Sequence, residues 1–143
     1  MSGTETTVHA SCVAIAGRAV LLRGVSGAGK SDLVLRLVDR GACLVSDDRT
    51  TLCAAGDRLR ARPPERIAGK LEIRGVGIVD LPCVSGVPLC LVAELDAVPE
   101  RMPEPGSAVF LGLEVPSLAL APLEPSAPVK LEWALRRFGL PLP

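Results

Sequence analysis

Aromatic residues are nearly missing from this chain. Its 143 residues include two Phe, one Trp and no Tyr. With an apolar fraction of 48 %, the core must be aliphatic, and the length suits one domain. Histidine occurs once, as His9. The five cysteines, Cys12, Cys43, Cys53, Cys83 and Cys90, have no C-x-x-C spacing, so a zinc site is poorly supported. Four of them lie in apolar runs and read as small core residues, and their odd number fits a reducing compartment. Net charge is absent as well, with 16 basic and 16 acidic residues. That balance gives no reason to expect a nucleic-acid groove or an anionic membrane as partner. A signal-like start and an unbroken apolar run of about 18 residues are both lacking. The expected location is cytoplasmic.

What is present is one glycine-rich stretch, Gly24-Val25-Ser26-Gly27-Ala28-Gly29-Lys30-Ser31. It satisfies the phosphate-loop pattern of glycine, four residues, then Gly-Lys-Ser. Ala19-Val20-Leu21-Leu22 before it reads as a buried strand, and residues 32–40 after it read as a helix. Glycines let the backbone turn tightly and aim its N–H groups inward. Those amides and the positive helix end suit phosphate oxygens. Lys30 would reach the terminal phosphates and Ser31 would hold Mg²⁺. The predicted fold is therefore α/β, a P-loop nucleotide-binding fold with a mixed central sheet, and the implied cofactors are ATP and Mg²⁺.

In chain order, residues 1–7 read as frayed. Residues 8–15 and 19–23 form a hairpin that leads into the loop. The helix presents Leu33, Val34, Leu37 and Val38 to the sheet, with Gly41 as its cap. Ala42-Cys43-Leu44-Val45 reads as an interior strand ending in Ser46-Asp47-Asp48. Acidic residues at that end sit beside the phosphate loop, where a metal ligand and a base belong. A second hairpin covers 49–54 and 58–61, and a helical turn covers 65–70. Residues 71–80 alternate charge, then bend at Gly75 and Gly77, a pattern that fits a ligand-facing loop or an exposed strand and turn. Strands follow at 89–95 and at 109–115, the latter with a bulge at Gly112. Residues 96–107 read as a loop and 116–128 as a proline-rich linker. A last helix covers 129–138, with Ser126 as its cap.

Three pieces together resemble the catalytic domain of HPr kinase/phosphorylase, which phosphorylates a serine of the phosphocarrier HPr. They are the loop at 24–31, the pair Asp47-Asp48, and Leu71-Glu72-Ile73-Arg74-Gly75-Val76-Gly77-Ile78-Val79-Asp80, which is similar to the family's signature segment. His9-Ala10 resembles the family as well. The resemblance implies a fold like the nucleotide-binding core of phosphoenolpyruvate carboxykinase. It implies Asp47 as the base, with Lys30, His9 and Arg74 supporting catalysis. It implies Ser31, Asp48 and Glu72 as the metal set, and an HPr-like protein as partner. The chain is similar to a short, alphaproteobacterial form. The family's basic stretch before the last helix is replaced by Ala121-Pro122-Leu123-Glu124-Pro125-Ser126-Ala127-Pro128. Weak phosphorolysis and no hexamer are the corresponding expectations. Two other classes fit the loop. A small-molecule kinase or nucleoside triphosphatase would need an arginine lid, for which Arg58, Arg60, Arg62 and Arg66 are the candidates. A non-catalytic nucleotide sensor would have no use for the acid pair.

Overall fold

In the computed structural model, residues 4–25 and 27–143 are described; residues 1–3 and Ser26 lie outside the described residues. The centre is the hairpin of β2 (Ala10–Ile15) and β3 (Arg18–Arg23). Its register pairs Ile15 with Arg18, leaving a two-residue turn in which Ala16 and Gly17 both have positive φ. Such a turn matches the twist of the strands it joins. After the glycine loop come α1 (Lys30–Asp39) and β4 (Cys43–Ser46). Strand β4 pairs antiparallel with β2 and so runs in the direction of β3. On the other side of β3 lies β9 (Val87–Glu94), parallel to it, and then β11 (Leu113–Ala119), parallel to β9. Strands β4, β3, β9 and β11 therefore end along one edge. In sheets of this kind ligands bind at the carboxyl ends of the strands.

A second layer curls away from the first. Strands β5 (Thr50–Ala55) and β6 (Arg58–Arg62) form the second hairpin. Strand β1 (Glu5–Val8) pairs with β5, and β6 pairs with Val87 and Pro88 at the start of β9. Strand β9 thus belongs to both layers. Alternating side chains divide the core. Val20, Leu22, Leu33, Leu37, Leu91 and Leu131 pack on the helical side. Leu21, Leu52, Leu59, Leu89 and Val92 pack on the other.

The end of α1 shows why its length was readable. Gly41 has φ 107°. Its N–H bonds to Val38 O and that of Ala42 to Leu37 O, each at 3.0 Å, the paired closure of a glycine-terminated helix. The start of α1 is Lys30, two residues earlier than expected.

Several expectations give way. Residues 5–7 are not frayed: they belong to β1, where Thr7 and Thr51 hydroxyls lie 3.0 Å apart. Residues 109–115 are not one bulged strand. Strand β10 (Gly106–Phe110) turns back through Leu111 and Gly112, both at positive φ, into β11. The linker expected at 116–128 begins as strand, because Ser117–Ala119 pairs with β9. Pro116 falls before that shared stretch, so its missing N–H leaves the ladder to β9 intact. Helix α2 (Ala127–Phe138) starts two residues early, and Ser126 makes no side-chain cap bond. Cys12 and Cys90 are buried, whereas Cys43 and Cys83 are exposed and Cys53 lies between. Full burial pushes the Cys12 thiol pKa well up, so it acts as a small apolar residue.

The segment read as a ligand-facing loop or an exposed strand and turn is a separate hairpin, β7 (Lys70–Ile73) and β8 (Gly77–Asp80), after a short 3-10 turn at Glu65–Ile67. Its Leu71 is fully buried against the α1 side of the core. Among the described residues no helix is long and apolar enough to cross a membrane.

Candidate active site

The loop from Gly24 to Ser31 leaves the end of β3, and its local conformation follows from its glycines. Gly27 and Gly29 have φ 86° and 103°, a region that side chains resist. Gly29 is the N-cap of α1, and its carbonyl accepts the first helical bond, from Leu33 N at 3.0 Å. A Cβ at Gly29 would also lie 3.0 Å from Leu123 Cδ2, a close approach that the exposed leucine can relieve, so the positive φ is what calls for glycine there. Lys30 is 6 % exposed. Its ammonium donates to Gly24 O at 2.5 Å and Val25 O at 3.1 Å, which places it across the mouth of the loop.

On one flank stands the connection from β4 to β5. Ser11, fully buried in β2, donates to Asp47 Oδ1 at 3.0 Å and accepts from Asp48 N at 3.0 Å. Ser31 Oγ donates to the same Asp47 oxygen at 2.9 Å. Asp47 therefore ties the loop–helix junction to β2. Asp48 sits at φ 68°, a conformation that aspartate tolerates better than most residues. Ser11 and the 2.8 Å bond from Arg49 N to Asp47 O hold the turn. The Asp48 carboxylate points outward and accepts from His9 Nε2 at 2.7 Å, with both side chains more than half exposed.

On the opposite flank lie the ends of β9 and β11. Arg23 and Glu94 form a two-point pair, at 2.8 and 2.5 Å, across the last residues of β3 and β9. Glu94 holds the Arg23 guanidinium above the ordinary arginine range. Two residues on, Asp96 Oδ2 accepts from Val25 N at 3.0 Å. Arg36 of α1 donates to the carbonyls of Pro122 and Glu124 and, at 3.0 Å, to Asp32. This fastens residues 122–124 beside the loop, where a free linker was expected.

The structure therefore brings together His9, Lys30, Ser31, Asp47, Asp48 and the described loop residues Gly24, Val25, Gly27, Ala28 and Gly29. Ser26, expected in the same loop, lies outside the described residues. Glu72 and Arg74 are not brought in by contact: neither side chain makes a hydrogen bond or ion pair among the described residues. Glu72 is exposed on β7, opposite Ile78, and Arg74 stands in the hairpin turn. No group of three or more His, Cys, Asp and Glu stands ready for a metal among the described residues. Three residues escaped the reading of the sequence: Ser11, Asp96 and Arg36. A lone hydroxyl inside the apolar run Ala10-Ser11-Cys12-Val13 was the available sign of the first. Asp96 follows an apolar strand, as Asp47 does, and offered the same cue.

Comparison with known proteins places the chain in a family. The family model for the HPr serine kinase C-terminal domain matches residues 2–93, more than half of the chain. HPr kinase/phosphorylase of Caldanaerobacter subterraneus subsp. tengcongensis is 44 % identical over 84 residues, covering 58 % of this chain and 28 % of that protein. The same enzyme of Streptococcus thermophilus is 37 % identical over 130 residues, covering 81 % and 42 %. The chain thus spans less than half the length of these curated relatives. The solved Hpr(Ser) kinase/phosphatase of Coxiella burnetii superposes with a TM-score of 0.81 at 29 % identity, covering 92 % of this chain and 94 % of that one. Its likeness extends past residue 93 to the curled mixed sheet as a whole, and the chain belongs to the HPr serine kinase C-terminal domain family.

Proposed function

We propose that this protein transfers the terminal phosphoryl group of ATP to a serine of an HPr-like phosphocarrier protein. The observation that carries the reading is the Asp47 carboxylate. It accepts from Ser31 of the loop and from Ser11 of β2, while the exposed Asp48 carboxylate at the same edge is paired with His9. Phosphoryl transfer needs a cradle for the phosphates and an aligned nucleophile, with little covalent work for the protein. The loop amides and Lys30 supply the cradle. Lys30 exchanges its bonds to Gly24 O and Val25 O for phosphate oxygens.

Ser31 and Asp47 fit Mg²⁺, because their oxygens already meet at 2.9 Å and hard cations take oxygen ligands. The ion, when bound, would neutralise charge on the phosphate oxygens. These contacts favour the reverse of the order that the resemblance implies. Asp47, engaged by two hydroxyls, is the metal-side carboxylate. Asp48, outward and open to an arriving protein, takes the proton of the serine hydroxyl. His9 orients it.

Glu72 keeps a supporting part in this reading. Its carboxylate has no partner among the described residues, on a hairpin whose Leu71 packs against α1. Glu72→Gln is expected to raise the Mg²⁺ concentration needed for half-maximal transfer by about threefold, the scale of one exposed charge near a site. A titration of transfer rate against Mg²⁺ checks this, and an unchanged curve removes Glu72 from the site.

Of the four lid candidates, Arg66 is exposed in the short 3-10 turn, and the other three are already engaged. Arg58, Arg60 and Arg62 lie on β6 and are engaged by Cys90 Sγ, Gly86 O, and Glu5 with Cys53. Weak phosphorolysis stays part of the proposal. Arg36 does reach the segment that lacks arginine, but its guanidinium is held by two carbonyls and Asp32. The test of the whole reading is incubation with labelled ATP, Mg²⁺ and a purified HPr-like protein. Label on one serine of the acceptor is expected. No labelled acceptor at high enzyme concentration would overturn it.

A further inference from the structure

The two flanks of the loop are unlike, and the difference bears on how a nucleotide would lie. The acids that would face the reacting phosphate stand at the end of β4. On the other side of β3, past the ends of β9 and β11, is a cavity of about 640 Å³, within the size range of small-ligand sites. Val25 and Ala28 of the loop, Leu95 and Asp96 after β9, and Pro122 and Leu123 after β11 line it. Its outer wall is fixed, since Arg36 holds the carbonyls on either side of Leu123. Leu123 itself is 74 % exposed yet lies beside Gly29, where an added Cβ would come within 3.0 Å of its Cδ2, so a large apolar side chain faces open space at the mouth of a phosphate cradle.

We propose that this cavity takes the nucleoside of the bound triphosphate. Leu123 covers a face of the base and Asp96 accepts hydrogen bonds from the ribose hydroxyls. The proposal rests on the reading of the loop as a phosphate cradle and goes beyond it. Asp96 uses Oδ2 on Val25 N, and Oδ1 remains as an acceptor, which suits a vicinal diol and repels a phosphorylated one. The base edge meets no comparable reader. Among the described residues the lining holds no side-chain donor, and the other carboxylate, Glu124, is paired with Lys130. The site therefore selects for ribose and is nearly indifferent to the purine.

Calorimetric titration separates the parts. Inorganic tripolyphosphate, ATP, GTP and 2′,3′-dideoxy-ATP are each titrated with Mg²⁺ into the whole chain and into Asp96→Asn and Leu123→Ala. Asn keeps an acceptor for Val25 N, so the loop retains its support. Expected are ATP and GTP within about threefold of each other, and dideoxy-ATP weaker by about tenfold, the effect of losing bonds to a charged acceptor. In Asp96→Asn that ratio falls toward one. In Leu123→Ala the nucleotides weaken by about tenfold, and tripolyphosphate binds both variants as it binds the wild type. ATP binding no tighter than tripolyphosphate, or an undiminished ribose preference in Asp96→Asn, overturns the proposal. Failure of tripolyphosphate and ATP alike to bind the wild type overturns the cradle reading and the proposal with it.

Discussion

Lys30→Ala is expected to lose transfer by about 10³-fold, the scale of removing one preorganised charge from a transition state. Nucleotide affinity falls as well, because the same ammonium spans the mouth of the loop. Its bonds to Gly24 O and Val25 O add a structural role. The measurement is therefore made beside Lys30→Met, which keeps the buried stem and removes the charge. Transfer is followed with labelled ATP, binding by calorimetry and folding by thermal denaturation. If both variants are folded, bind ATP and turn over at wild-type rates, the loop is not a phosphate cradle.

Asp48→Asn is the second large effect. An amide keeps the shape and cannot accept the proton, a loss of about 10²-fold or more. ATP binding with Mg²⁺ stays near the wild-type value, since the Ser31–Asp47 contact is untouched. Asp47→Asn behaves differently: its amide oxygen still accepts from Ser11 and Ser31, but the negative charge is gone, so the Mg²⁺ requirement rises. His9→Gln serves as the control on the outward side, lowering the rate with no change in the metal curve. Should Asp47→Asn keep its metal dependence and lose only rate, the order implied by the resemblance is restored. If neither Asp47→Asn nor Asp48→Asn slows transfer, the base lies elsewhere.

Much of this site could be read before any coordinates, and the reason is local. Gly27, Gly29, Lys30 and Ser31 act through backbone conformation and adjacent positions, which the order of residues specifies directly. Gly41 and the apolar face of α1 are legible for the same cause. Asp47 and Asp48 were found because a strand end beside such a loop has few other uses for two carboxylates. What could not be read depends on contacts far apart in the chain. Ser11 matters through Asp47, 36 positions away, and Arg36 through Pro122 and Glu124, 86 and 88 positions away. Proline density led residues 116–119 to be taken for linker, although β9 offered them an open edge. Propensity yields to such tertiary pairing. The Asp47 and Asp48 roles implied by family likeness also turn on side-chain direction, which the two letters cannot convey.

Strand β9, shared by the parallel and the antiparallel layer, has a consequence for how the molecule comes apart. Amides of β9 and β3, paired on both edges, open only with the whole fold. Those of β1, an edge strand held by β5 alone, belong to the low end of the opening free energies. His9 sits at the joint between β1 and β2, on the border of these two regimes. Mild denaturant that peels β1 from β5 would thus free His9 from Asp48, while leaving the glycine loop on its unopened strand. The molecule would then pass through a partly opened form that still holds nucleotide and has already lost its proton-transfer partner.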